Sequence, residues 1–174
     1  MKKFTIALIV LGICLATAWL AHARDIKRHL PICAALEAKD LQPKIDGSIT
    51  MTFGKETPRE GFKSLRSDVA LGKVNTRGKS NDSACNSAFL SALVQLQKRA
   101  KQHGANAVVN IVSYYKKVEM SSTTEYECHE GSGYMAVALR GDFVKIGNQL
   151  TRAASAAAWL LDGSCGIYLE RRLR

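Results

Sequence analysis

Between Ser83 and His103, apolar residues return every three or four positions; at Gly104 the pattern stops and a run rich in Val, Ile and Tyr begins. Cys85, Ala88, Phe89, Ala92, Leu93, Leu96 and Ala100 share one helical face, and an apolar face that broad needs a surface to cover it. Gln95, Lys98, Arg99 and Gln102 lie mostly on the wet side, with the basic residues in the last turns, opposite the negative end of the helix dipole. Asp82 or Ser83 is expected to cap the first turn, and Gly104 to close the last one in the left-handed conformation.

The surface is expected to be a sheet. Ala107 to Val118 follows the helix at once, and its first half is apolar on both faces, as a central strand requires. Ser48 to Phe53 alternates, with Ile49, Met51 and Phe53 on one face and Thr50 and Thr52 on the other. Gly54 to Ser67, with Pro58 and many charges, reads as a loop, and Asp68 to Val74 as a short strand. Beyond a polar turn at Ser121 to Thr124, Glu125 to His129 and Tyr134 to Ile146 read as further strands. One helix among strands joined by short turns predicts an α+β fold: a small, mainly antiparallel sheet with one long helix on one face.

The ends of the chain have another character. Lys2 and Lys3, the apolar run Phe4 to Leu15 and the small-residue site Ala21-His22-Ala23 have the grammar of a secretory leader, and the apolar run is too short to span a bilayer. Export with cleavage near Ala23 is the expected route, to the periplasm or beyond. Residues 24–44 form a mixed lead-in with room for a short helix near Cys33 to Ala38, and 45–146 form the domain. The extension, 147–174, carries an Ala-rich helical stretch from Leu150 to Leu161, then Cys165 and a basic end with Arg171, Arg172 and Arg174. The formal charge is +10; the leader removes Lys2 and Lys3 and no acid, leaving +8. That balance favours anionic surfaces or an acidic envelope partner over any particular ligand.

Cys14 lies in the leader behind Ile13, where a lipid-anchor cysteine wants a small residue. Four cysteines remain, Cys33, Cys85, Cys128 and Cys165, an even count that in an oxidising space points to disulfides. Cys85 near the start of the inner helix face and Cys128 in a strand can meet if the helix covers the sheet. Cys33 and Cys165 fall in the two extensions and can pair together, across a dimer, or not at all.

Catalytic patterns are thin. Gly72 to Ser80 resembles a P-loop, ending in Gly78-Lys79-Ser80, but five residues separate its glycines where four are needed, and the helix is expected to start several residues later. Cys128-His129-Glu130 is placed on a strand, where neighbours point to opposite faces and do not converge on a metal. No serine elbow, acid pair or Cys/His arrangement stands out, so no catalytic residue, cofactor or metal is expected. Tyr114-Tyr115-Lys116-Lys117 mixes aromatic and basic groups as single-strand binders do. With Lys98 and Arg99 it is the candidate anion or nucleic-acid patch, though an ordinary strand end with one buried tyrosine explains it as well.

The corner Ala100-Lys101-Gln102-His103-Gly104-Ala105-Asn106-Ala107-Val108-Val109-Asn110-Ile111 resembles that of the YbjQ-like superfamily, which includes the disulfide-bonded domain of the Rcs envelope-stress sensor lipoprotein. Cys85, Leu90 to Leu96, Arg99-Ala100-Lys101, Ser113 to Lys116, Glu125 to His129 and Val137 to Gly141, with Leu41 to Phe53, are similar to a family of small exported bacterial proteins of unknown function, often labelled "excinuclease ATPase subunit". The resemblance covers roughly residues 25 to 146 and stops at the extension. It implies a disulfide-bonded α+β domain and a partner-binding or stress-sensing role. The family label implies nucleotide hydrolysis, yet the excinuclease subunit carries true P-loops and zinc cysteines, and this chain has neither. The expected function is a non-catalytic, exported, disulfide-stabilised binding or envelope-associated module. The alternatives are a sensor that docks on a partner and a nucleotide hydrolase.

Overall fold

A computed structural model describes residues 25–37, 45, 47–55 and 62–147. Their elements run β1 (Ile26–Pro31), α1 (Ile32–Glu37), β2 (Thr50–Phe53), β3 (Phe62–Asn75), α2 (Asn81–Gln102), β4 (Ala107–Ser113), a 3-10 turn (Tyr115–Lys117), β5 (Glu125–Gly131) and β6 (Tyr134–Ile146). The leader, the Ala-rich stretch of the extension and Cys165 lie outside the described residues.

β6 is the axis of the sheet. Along one edge β3 pairs with it antiparallel from end to end, Phe62 against Ile146 and Asn75 against Tyr134. Its other edge is shared: β5 takes Tyr134 to Ala136 in a hairpin, and β4 takes Leu139 to Val144, both antiparallel. β1 adds antiparallel to β5, and β2 adds to β4 in parallel. The result is a curled, mixed sheet with a helix packed on it, an α+β fold.

The helix packs as its periodicity requires. Each of the seven inner-face residues named above is at most 1% exposed. They meet Ala70 of β3 and Met135, Val137, Leu139 and Phe143 of β6. At Gly72 the two backbones nearly touch: a Cβ there would lie 1.8 Å from the Ala88 carbonyl oxygen, so no larger residue fits. Phe89 sits at the centre, between Phe53 at 5.9 Å and Tyr126 at 4.2 Å. A smaller apolar cluster, Ala107, Val109, Val144 and Ile146 with Phe62 against it, occupies the opposite face of the sheet.

Several boundaries differ from expectation. α2 begins at Asn81, capped by Ser80, whose Oγ accepts the Ser83 N–H at 3.2 Å, rather than by Asp82 or Ser83. It ends as expected at Gly104, φ +69°, with the Gly104 N–H donating to Lys101 O and the Ala105 N–H to Ala100 O. Phe62 to Ser67 is not loop but the first half of β3, and β1 was not expected at all. Both lie at sheet edges with most side chains solvated, so neither carries the alternation by which a half-buried strand is recognised. β4 stops at Ser113 and not at Val118; Lys116 and Lys117 turn into the left-handed region, at φ 50° and 66°.

Candidate functional site

Cys85 lies in the first turns of α2 and Cys128 on the inward side of β5, two residues from the stacked Tyr126. They form a disulfide with Cα atoms 5.9 Å apart, closing 43 residues of chain. Both cysteines are fully buried, so no thiolate reaches the bond without unfolding. In the chain-entropy account a loop of that size stabilises the fold by about 4 kcal/mol. Cys33, in α1, is also disulfide-bonded.

The P-loop-like segment has another task. Gly72 to Asn75 is strand, and Gly72 serves the close approach of α2. Only Thr76 to Ser80 turns, with Gly78 at φ +71° and the Lys79 N–H donating to Thr76 O at 3.0 Å. The helix does start immediately after Ser80, contrary to expectation. A loop that wraps phosphate needs its first glycine free, however, and here that glycine is locked in the sheet.

Lys98, Arg99, Lys116 and Lys117 do not come together. Lys98 and Arg99 belong to α2, where Arg99 Nη1 donates to Val69 O at 2.8 Å and lies 3.4 Å from Asp68. Lys116 and Lys117 sit on the other face of the sheet, where Lys116 pairs with Asp25. Cys128 faces the helix and His129 the opposite side. Among the described residues no group of three or more His, Cys, Asp or Glu side chains is arranged to hold a metal ion.

That opposite side holds a polar cluster which the sequence reading missed. His129, 6% exposed, lies between two carboxylates: Nδ1 is 2.6 Å from Asp25 Oδ1 and Nε2 2.5 Å from Glu127 Oε1. Both ring nitrogens are thus at hydrogen-bond distance from a carboxylate oxygen, and the ring is clamped between the two. Tyr115 stacks on the ring at 3.7 Å. The other oxygen of Glu127 takes Lys27 at 3.1 Å, and Asp25 also binds Lys116. Hydrogen bonds from Lys116 and His129 hold the Asp25 carboxyl below its usual range. Burial works to raise the Glu127 carboxyl, but bonds from His129 and Lys27 outweigh it, and it too is held low. Tyr115 is pushed up, by burial and by the Asp25 charge.

The same face carries three cations over aromatic rings. Lys73 Nζ stands 3.7 Å from the Tyr134 centroid, Lys116 Nζ 5.6 Å from that of Tyr115, and the Arg140 guanidinium 4.7 Å from that of Tyr114. The Tyr134 ring lies flat on Gly131, where a Cβ would come within 2.3 Å of it. Arg140 also pairs with Glu119 at 2.5 Å, and Lys55 binds the same carboxylate. The available signal was Glu125, Glu127 and His129 at period two, with Lys27 and His29 at the same period on another segment; the register between them was not legible.

No family model matches this chain, and no curated protein matches it. Among solved structures, a protein of unknown function from Pediococcus pentosaceus, of the DUF74 family, is similar over 57% of this chain and 98% of its own, with 12% identity and a TM-score of 0.39. A likeness of that depth carries no argument about fold or function.

Proposed function

We propose that this chain is an exported, non-catalytic module of the bacterial cell envelope, held rigid by the Cys85–Cys128 bridge and acting by association with another envelope component. The observation that carries the reading is the bridge, which ties α2 to β5 through two fully buried cysteines. Such a bond forms and persists in oxidising compartments, and the leader-like residues 1–23 supply a route to one. Among the described residues, Asp25, Lys27, Tyr115, Lys116, Glu127 and His129 of the outer face are engaged with one another. No helix among the described residues is long and apolar enough to cross a membrane.

The test is fractionation of native-host cells, followed by intact mass of the protein with and without reductant. The reading expects a chain beginning at Arg24, in the envelope or medium, whose mass rises on reduction. An uncleaved, fully reduced chain in the cytosol overturns it.

A sensor that docks on a partner is the second reading. Leu65, Val69 and Leu71 favour it, standing 36%, 38% and 51% exposed along β3. Crosslinking in intact cells should then trap a defined partner. Replacing Val69 and Leu71 by serine should abolish the trapped species and leave the fold intact.

A further inference from the structure

Apart from its backbone ladder with β5, β1 is attached to the sheet mostly by charge. Of its apolar side chains Leu30 is buried, while Ile26 stays 41% exposed. What joins its side chains to their neighbours is charge. On the outer face Lys27 meets Glu127 at 3.1 Å, and His29 lies 3.9 Å from both Glu125 and Glu127. Asp25, immediately before the strand, meets His129 at 2.6 Å and also binds Lys116. On the inner face Arg28 meets Glu130 at 3.0 Å, an oxygen that Asn81 of α2 also approaches at 3.3 Å. Tyr115 stacks on His129 from the 3-10 turn, and Tyr134 of β6 lies near enough to Tyr115 and Lys116 to act on their charge.

Four carboxylates, Asp25, Glu125, Glu127 and Glu130, thus hold five basic groups: Lys27, Arg28, His29, Lys116 and His129. We infer that β1 is an acid-released strand: protonation of these carboxylates frees residues 25–31 from β5 while the rest of the sheet stays folded. Neutralising the acids does more than remove attraction. It leaves Lys27, Arg28 and Lys116 as uncompensated positive charges around one strand pair, beside the rings of His29 and His129. What then opposes opening is a six-residue ladder at a sheet edge and one buried leucine, the kind of segment that opens locally at low cost.

The release has a natural limit. Pro31 ends the strand, and α1 stays anchored beyond it: Ile32 and Ala35 are at most 2% exposed, and the Ile32 N–H donates to Thr124 O at 2.9 Å. Opening therefore hinges at Pro31–Ile32 and uncovers the outer edge of β5. Because Asp25 and Glu127 are held below their ordinary values of 3.8 and 4.5, their contribution is present above those values and is lost as pH falls through the lower folded ones.

The experiment is amide exchange by NMR on the oxidised chain, with β1 protection divided by β6 protection in the same sample and corrected for intrinsic rates. Between neutral pH and about pH 2, below the lowered carboxyl values, the ratio should fall at least about tenfold. The protection of β6 and α2 should hold. Asp25→Asn, at a partly exposed position, should lower the ratio already at neutral pH and flatten its acid dependence. The inference is overturned if the ratio changes less than about twofold, if β1 and β6 lose protection together, or if Asp25→Asn follows the wild type.

Discussion

The interface of α2 with β3 and β6 is buried and the seam between β1 and β5 is only partly so, and different forces hold them. The first is dry: alanines, leucines and aromatic rings in contact and glycine where backbones meet, with a disulfide tying the first turns of the same helix to neighbouring β5. The second is wired: carboxylates, lysines and imidazoles paired across strands, with one leucine beneath. Apolar contact carries no titratable group, so it does not respond to pH, and it fails cooperatively. Ion pairs that are partly open to water contribute little singly and depend on the ionisation of every member. A domain built from both has a body that unfolds cooperatively and a margin free to respond.

The largest effect should come from Gly72→Val. Its side chain would occupy the space of the Ala88 carbonyl, so α2 must lift from β3; thermal unfolding should lose its cooperative transition. If the variant melts like the wild type, the dry interface is not close-packed as described. Next is Cys85→Ser with Cys128→Ser. Removing both partners should cost about 4 kcal/mol in urea unfolding, less whatever structure the reduced unfolded chain retains. Ser80→Ala should cost about 1 kcal/mol through the lost cap on α2, and a null result would mean that another group serves the Ser83 N–H. Arg28→Gln is the smallest globally, within about 1 kcal/mol of wild type, but it should raise exchange in β1 and leave β6 unchanged. A uniform rise across both strands would erase the distinction between body and margin.

The body was legible in the sequence and the margin was not. The seven apolar positions from Cys85 to Ala100 announce a helix with one buried face, the Val-rich run after Gly104 announces a central strand, and placing the helix over the sheet brings Cys85 to Cys128. Periodic burial writes itself into local sequence. β1 has no such pattern, because Lys27 and His29 are satisfied by Glu127 and neighbours a hundred residues away, across a register that no local rule encodes. Phe62 to Ser67 was hidden for the same reason, as a strand with one neighbour and wet side chains. Lys116 and Lys117 in left-handed geometry defeat any expectation from propensity, since residues with a Cβ rarely go there. For the glycine-bearing segment before α2, the spacing of five residues between glycines stands, but the expected late helix start does not: α2 begins at Asn81, directly after Ser80, and Gly72 is already part of β3.

The central claim is that a sulfur bridge clamps α2 to β5 in the protein as its own cell makes it. Peptide mapping of that protein, denatured in excess alkylating agent and digested without reductant, tests this directly. The account predicts a linked pair of peptides containing Cys85 and Cys128, with no alkylation at either. Recovery of both cysteines as alkylated, unlinked peptides would contradict it.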